Sequence, residues 1–186
     1  MMSVRSKKAI KEIAVGMGLL VCLFFIGCKD KSAAATDHYD RGEAHYENGE
    51  YDQAFSELTK AIEIDPKFAP AYIVRGMAYN DKGKHDLAVA DYSKVIEIKP
   101  TAAHAYVGRG MAYLNNGEYD PAIADCSKAI EIDPTATDPY RLRARAYTSK
   151  GEYDKAWKDV YEAQALGRPF DSKFLEKLRE ASGRDK

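Results

Sequence analysis

Residues 105–134 read AYVGRGMAYLNNGEYDPAIADCSKAIEIDP, two stretches of helical periodicity joined by a turn. Tyr106, Gly110 and Tyr113 stand at i, i+4 and i+7 and so share one face of a helix; Ala122, Cys126, Ala129 and Ile130 do the same in the second stretch. Between them Gly117 can take the left-handed conformation that ends a helix. Asp120 is placed to cap the next helix by accepting a backbone N–H, and Pro121 suits its first turn. Pro134 stops the second helix. Gly110 and Ala122 are small enough for two helix backbones to approach, with Tyr106 and Tyr113 filling the space beside them. The predicted unit is a helical hairpin that cannot bury its apolar faces alone.

Shifting the chain by 34 residues superimposes Gly42, Gly76, Gly110 and Ala144; Gly49, Gly83, Gly117 and Gly151; Ala54, Ala88, Ala122 and Ala156; and Pro66, Pro100 and Pro134. Asp52, Asp86 and Asp154 fall in the capping slot of Asp120. A fixed period of this length signals a stacked array whose copies share one continuous core. The pattern Tyr72-x3-Gly76-x2-Tyr79-x8-Ala88, closed by Pro100, resembles the tetratricopeptide repeat (TPR). The resemblance runs from Thr36 to about Gly167. It implies an all-α fold: a right-handed superhelix, or α-solenoid, of four helix-turn-helix repeats at about 35–68, 69–102, 103–136 and 137–168 within residues 37–168. The first copy departs from the family pattern, with His38 and His45 where aromatic rings are usual, and the fourth has Ala144 for glycine. After Gly167 and Pro169, the segment 169–186 spaces Phe170, Phe174 and Leu178 four apart, which suits a helix covering the open end of the stack. Ser182 to Lys186 are expected to fray.

The start of the chain has a different composition. Arg5, Lys7, Lys8 and Lys11 precede the apolar run Ile13–Gly27, the layout of a secretory signal over residues 1–27. Phe25, Ile26, Gly27 and Cys28 resemble the cleavage box of a bacterial lipoprotein, with phenylalanine where leucine is usual. That resemblance implies a lipid on Cys28, and Lys29 in place of an aspartate implies an outer-membrane anchor facing the periplasm. An uncleaved membrane anchor is the alternative, since the run falls only somewhat short of the roughly 20 residues that span a bilayer. Small polar residues through Thr36 read as a flexible tether over 28–36.

Several functions are excluded by what is missing. The chain has 28 basic and 29 acidic residues, and without its first 27 residues it is mildly acidic, with no basic stripe to displace counterions from nucleic acid. Cys22, Cys28 and Cys126 are too few and too scattered for a disulfide framework. His38, His45, His85 and His104 lie in separate copies without paired cysteines, so neither a metal nor another cofactor is expected. Cys126 falls on the core face of its helix, where a small buried thiol is expected rather than a nucleophile. No phosphate loop, nucleophile elbow or carboxylate cleft is present, so no enzyme is expected.

Positions that hold constant across copies serve the stack, and those that vary are free to serve a partner. Arg41, Arg75, Arg109 and Arg143 hold constant, as do the acids Glu57, Asp91, Asp125 and Asp159; they read as structural salt bridges between helices, at the surface and so contributing about 0–1 kcal/mol each, with a ligand-binding arginine ladder as the alternative. The variable positions of the first helices are Tyr39, Glu43 and Tyr46; Ile73, Met77 and Asn80; Val107, Met111 and Leu114; and Arg141, Arg145 and Thr148. In the family these line the concave groove that takes a peptide or partner helix. Their middle is apolar and Met-bearing, suited to an adaptable surface, while one end is acidic and the other basic. Burial of Ile73, Met77, Val107 and Met111 between repeats is the competing reading. The lysine and asparagine clamp of one family subtype is absent, with Tyr39, Glu43, Met77, His104 and Gly108 in its slots, although Arg141 and Arg145 are placed to offer a carboxylate paired donors. The expectation is a non-catalytic adaptor for a protein or peptide partner, held at the membrane by its lipid. The alternative is a structural envelope protein that forms a homodimer through its terminal repeats.

Overall fold

The computed structural model of the chain describes residues 31–184. Among these residues the regular structure is all helical: α1 occupies 31–47, followed by α2 (Tyr51–Ile64), α3 (Ala69–Asp81), α4 (His85–Ile98), α5 (Ala103–Asn115), α6 (Tyr119–Ile132), α7 (Asp138–Ser149), α8 (Tyr153–Ala165) and α9 (Ser172–Ser182). The odd-numbered A helices and even-numbered B helices alternate, and each packs against the next to give a solenoid-like stack of four hairpins closed by α9. The expected signal segment and Cys28 lie outside the described residues.

Each A helix stops at a glycine because the chain there must turn left-handed. Gly117 has φ +77°, its N–H donates to the Leu114 carbonyl at 3.1 Å, and the Glu118 N–H donates to the Tyr113 carbonyl at 2.8 Å. This is the Schellman pattern, and Gly49, Gly83 and Gly151 repeat the positive φ. It also corrects the capping assignment. Because the turn closes at Glu118, α6 starts at Tyr119 and Glu118 is the N-cap residue, without a side-chain hydrogen bond. Asp120 lies inside the first turn, as do Asp52, Asp86 and Asp154 in their helices, where a carboxylate still favours the positive helix end by about 0.3–1 kcal/mol.

Small residues set the helix spacing within each hairpin. Ala54, Ala88, Ala122 and Ala156 are almost wholly buried, and a Cβ on Gly110 would lie 3.2 Å from the Cys126 sulfur and 3.4 Å from the Ala122 carbonyl. Tyrosines tie down the turns between repeats: the hydroxyls of Tyr72, Tyr106 and Tyr140 donate to the carbonyls of Pro66, Pro100 and Pro134 at 3.2–3.3 Å. The expected capping helix is present: Phe170 and Leu178 close a core cluster with Tyr140, Trp157 and Val160. Asp171 caps α9 by accepting from the Phe174 N–H at 2.8 Å.

Two boundary expectations are corrected. Residues 31–36, read as tether, form the first turns of α1, since three consecutive alanines are strong helix formers and Ala35 is buried. Ser182 and Arg184, expected to fray, are held: Ser182 accepts from the Trp157 indole N–H at 3.1 Å and Arg184 donates to Asp154 at 2.7 Å. Among the described residues no helix is long and apolar enough to cross a membrane.

Candidate protein-binding groove

Successive A helices touch one another, α3 with α5 and α5 with α7, whereas no comparable contact joins α2 to α4, α4 to α6 or α6 to α8. The stack therefore curves with its A helices on the inside, lining a hollow.

The constant arginines do not serve that hollow. Arg75, Arg109 and Arg143 each grip an aspartate of their own hairpin with two parallel hydrogen bonds, to Asp91 at 2.7 and 2.8 Å, Asp125 at 2.7 and 2.8 Å, and Asp159 at 2.7 and 2.9 Å. The remaining Nη1 of each reaches back to the preceding repeat, to Thr59, Ser93 and Ser127 at 2.8–3.0 Å. The aspartates are buried, so these are core bridges and the surface assignment is corrected. A carboxylate taken out of water carries a desolvation cost of several kcal/mol, offset here by a complete set of charge-assisted bonds. In the first copy Arg41 is half exposed and meets Glu57 at 3.3 Å, with Asp37 at 2.8 Å.

A third ladder escaped the sequence reading. Asn116 donates to Asp86 at 2.6 Å, Lys150 to Asp120, and Arg184 to Asp154 at 2.7 Å, each joining the end of one A helix to the B helix of the repeat before it. The signal was present, since both rows recur every 34 residues. It was spent on the helix-capping assignment.

Along the inner face, Tyr39, Glu43 and Tyr46 on α1 are half-buried; the Tyr39 hydroxyl donates to Glu43 at 2.5 Å and that of Tyr46 to Asp81 at 2.9 Å. In the middle Ile73, Val107 and Leu114 are half-buried, while Met77 and Met111 remain 38% and 36% exposed. Asn80 is buried: its Oδ1 lies 3.2 Å from His85 Nδ1, and its Nδ2 has no partner. At the far end the Arg141 guanidinium sits over the Phe170 ring at 5.7 Å, and Arg145 is exposed, 3.9 Å from Asp171. Arg145, Thr148, Asp171, Lys173 and Lys177 line a cavity of 310 Å³, so α9 adds two lysines to the basic end that the sequence reading did not place there. The Thr148 hydroxyl is turned into its own helix, donating to the Ala144 carbonyl at 2.7 Å.

Among the described residues no cluster of three or more histidine, cysteine or acidic side chains is arranged to hold a metal ion. Burial pushes the Cys126 thiol up to about 12, leaving almost no thiolate at neutral pH.

Family models described as tetratricopeptide repeat match residues 35–68 and 103–136, and one described as TPR repeat matches 76–117; together they span just over half of the chain. Comparison with curated proteins finds no match. Among solved structures, one of a MamA protein superimposes with TM-score 0.71 at 24% identity, covering 81% of this chain and 83% of that one. A MamA from Desulfovibrio magneticus gives TM-score 0.68 at 22% identity over 74% of this chain and 78% of that one. The first TPR of Spaghetti (RPAP3), solved bound to an HSP90 peptide, gives TM-score 0.62 at 22% identity over 64% of this chain and 94% of that one. These identities carry the fold alone. With the repeat period, the hairpins and the family matches in agreement, the chain belongs to the tetratricopeptide repeat family of non-catalytic protein–protein interaction scaffolds.

Proposed function

We propose that the chain is a lipid-anchored scaffold of the bacterial envelope that binds a polypeptide partner along its inner face. The observation that carries the binding surface is the exposure of Met77 and Met111 in the apolar middle of that face, while the constant positions of the stack are satisfied internally. Methionine is unbranched and polarizable, and an exposed pair of them on a rigid surface suits a partner whose side chains vary in shape. A solved domain of the same fold is described with a bound peptide, in keeping with this use of the face. Met77→Glu together with Met111→Glu is expected to abolish partner capture, read by crosslinking in intact cells, while leaving the helical circular dichroism signal unchanged. Loss of cooperative unfolding in that double variant would assign the pair to the core.

The anchor draws on sequence. Basic residues, the apolar run and the box ending in Cys28 support lipidation there, and Lys29 supports the outer membrane with the repeats in the periplasm. Intact-mass analysis of membrane-extracted protein is expected to find a diacylated or triacylated Cys28 as the first residue; retention of Met1 or Met2 refutes it. Self-association through the terminal repeats is the second reading, favoured by Tyr161, which is 57% exposed beside the end of the stack. Light scattering decides between a monomer and a tight dimer.

A further inference from the structure

The two ends of the inner face carry opposite charges, the acidic end without ion pairs among the described residues and the basic end with only long ones. At the α1 end stand Glu43 and, from α3, Asp81, with Asp40 and Glu47 close beside them on α1. None forms an ion pair among the described residues, whereas the neighbouring Asp37, Glu50 and Glu57 all do. Glu43 and Asp81 accept only tyrosine hydroxyls. Their charge is felt locally: burial first, then the hydrogen bond to Asp81, pushes the Tyr46 hydroxyl up to about 12, and burial followed by Glu43, Asp40 and Glu47 raises that of Tyr39.

At the opposite end stand four cations, Arg141, Arg145, Lys173 and Lys177, with two acids among them. The nearest carboxylates are Asp138, 4.0 Å from Arg141, and Asp171, 3.9 Å from Arg145, both beyond hydrogen-bond distance. The Arg141 Nε is buried with no acceptor, and Lys173 and Lys177 open into the same cavity as Arg145 without forming ion pairs. Between the ends lie Ile73, Met77, Val107 and Met111, with no charge among them.

We infer that the groove takes a polypeptide segment of one polarity, its basic end against α1 and its acidic end against α7 and α9, with apolar side chains over Met77 and Met111. The inference rests on the inner face being the binding surface, as proposed above, and adds the chemistry and direction of its occupant. Complementary charge at both ends fixes register, and reversing the segment sets like charges against each other at two places. Exposed charges steer the encounter and are screened by salt, so the preference belongs to low ionic strength.

The probe is a synthetic peptide with two lysines at one end, two glutamates at the other and leucine and alanine between, compared with the same composition with its charges interspersed. Anisotropy titrations on the full-length chain are expected to show the bipolar peptide binding about tenfold more tightly, with the difference collapsing at 1 M salt, where the Debye length is about 3 Å. A photo-crosslinker at its acidic end is expected to label α7 and α9, and one at its basic end α1. Arg145→Glu with Lys177→Glu, both exposed positions, should remove the tenfold preference, and replacing the peptide's glutamates by lysines should restore it. Equal affinity for the two peptides, or crosslinks without end preference, overturns the inference and leaves the groove itself standing. Failure of every peptide to bind overturns it too; if Met77→Glu with Met111→Glu also leaves partner capture intact, the binding surface falls with it. A dimer dissociated by the Arg145 and Lys177 substitutions would give the face to a second copy of the chain and overturn the inference.

Discussion

The ring of Tyr92, 2% exposed, passes so close to α5 that a Cβ on Gly108 would lie 2.5 Å from it. At the corresponding positions one repeat earlier, Leu58 packs in a cluster with Val74, so the volume gained at one position is given up at its neighbour. Gly108→Val is therefore expected to destabilise by about 1–3 kcal/mol through overpacking. Adding Tyr92→Leu should recover part of that loss, giving a coupling in a double-mutant cycle by urea denaturation that strictly additive effects would refute. The bridges make a second test. Asp159, 2% exposed, leaves the half-buried Arg143 without its carboxylate partner when removed, so Asp159→Ala should cost about 3 kcal/mol, read by the same denaturation. Glu57 titrates at the edge of the stack. Hydrogen bonds from Lys60 and then His38 hold its carboxyl at about 2, against an ordinary 4.5. A folded value below the unfolded one means that its contribution is complete above pH 4.5 and is lost as the pH falls toward 2. Glu57→Gln should accordingly flatten the fall of stability with pH over that window, and an unchanged slope in stepped-pH unfolding counts against the assignment.

Helix α9 stands where a fifth A helix would: Arg184 repeats the contact of Lys150 one period later, and Phe174 falls 34 residues after Tyr140. Leu178 lies four helical positions after Phe174 and fills the slot that Gly110 holds open elsewhere. Deleting residues 169–186 would uncover Tyr140, Trp157 and Val160 together, so a red-shifted Trp157 emission and association by light scattering are expected, with emission unchanged as the refuting result. Gly110, Gly117 and Ala122 announce the hairpin because backbone approach and a left-handed turn tolerate few other residues. The depth of Asp91, Asp125 and Asp159 was not legible, since an ion pair repeated along the chain has one appearance in sequence whether the next repeat covers it or water does. Lys173 and Lys177 were missed because no shift by 34 aligns them with the groove positions, and only docking of α9 brings them beside Arg145. The helical start at residues 31–36 was missed because a short alanine-rich stretch has no apolar period to read.

Over the whole molecule each hairpin is stabilised by its neighbours, and stability adds along the stack rather than arising from one central core. The middle hairpins have a neighbour on both sides. Hydrogen exchange is thus expected to be slowest in α4–α6 and faster, by at least about tenfold, in α1 and α9. Uniform protection along the chain would show that the stack opens only as one unit. The bridges of Arg75, Arg109 and Arg143 each join residues 16 apart, and their third bonds reach 16 back. The rungs from the ends of the A helices span 30. Copying one 34-residue unit in tandem reproduces all of these joints without altering any existing one, whereas inserting a single residue inside a helix throws arginine and aspartate onto different faces. Growth by whole 34-residue units therefore extends the curved surface by one more set of variable positions already supported from beneath.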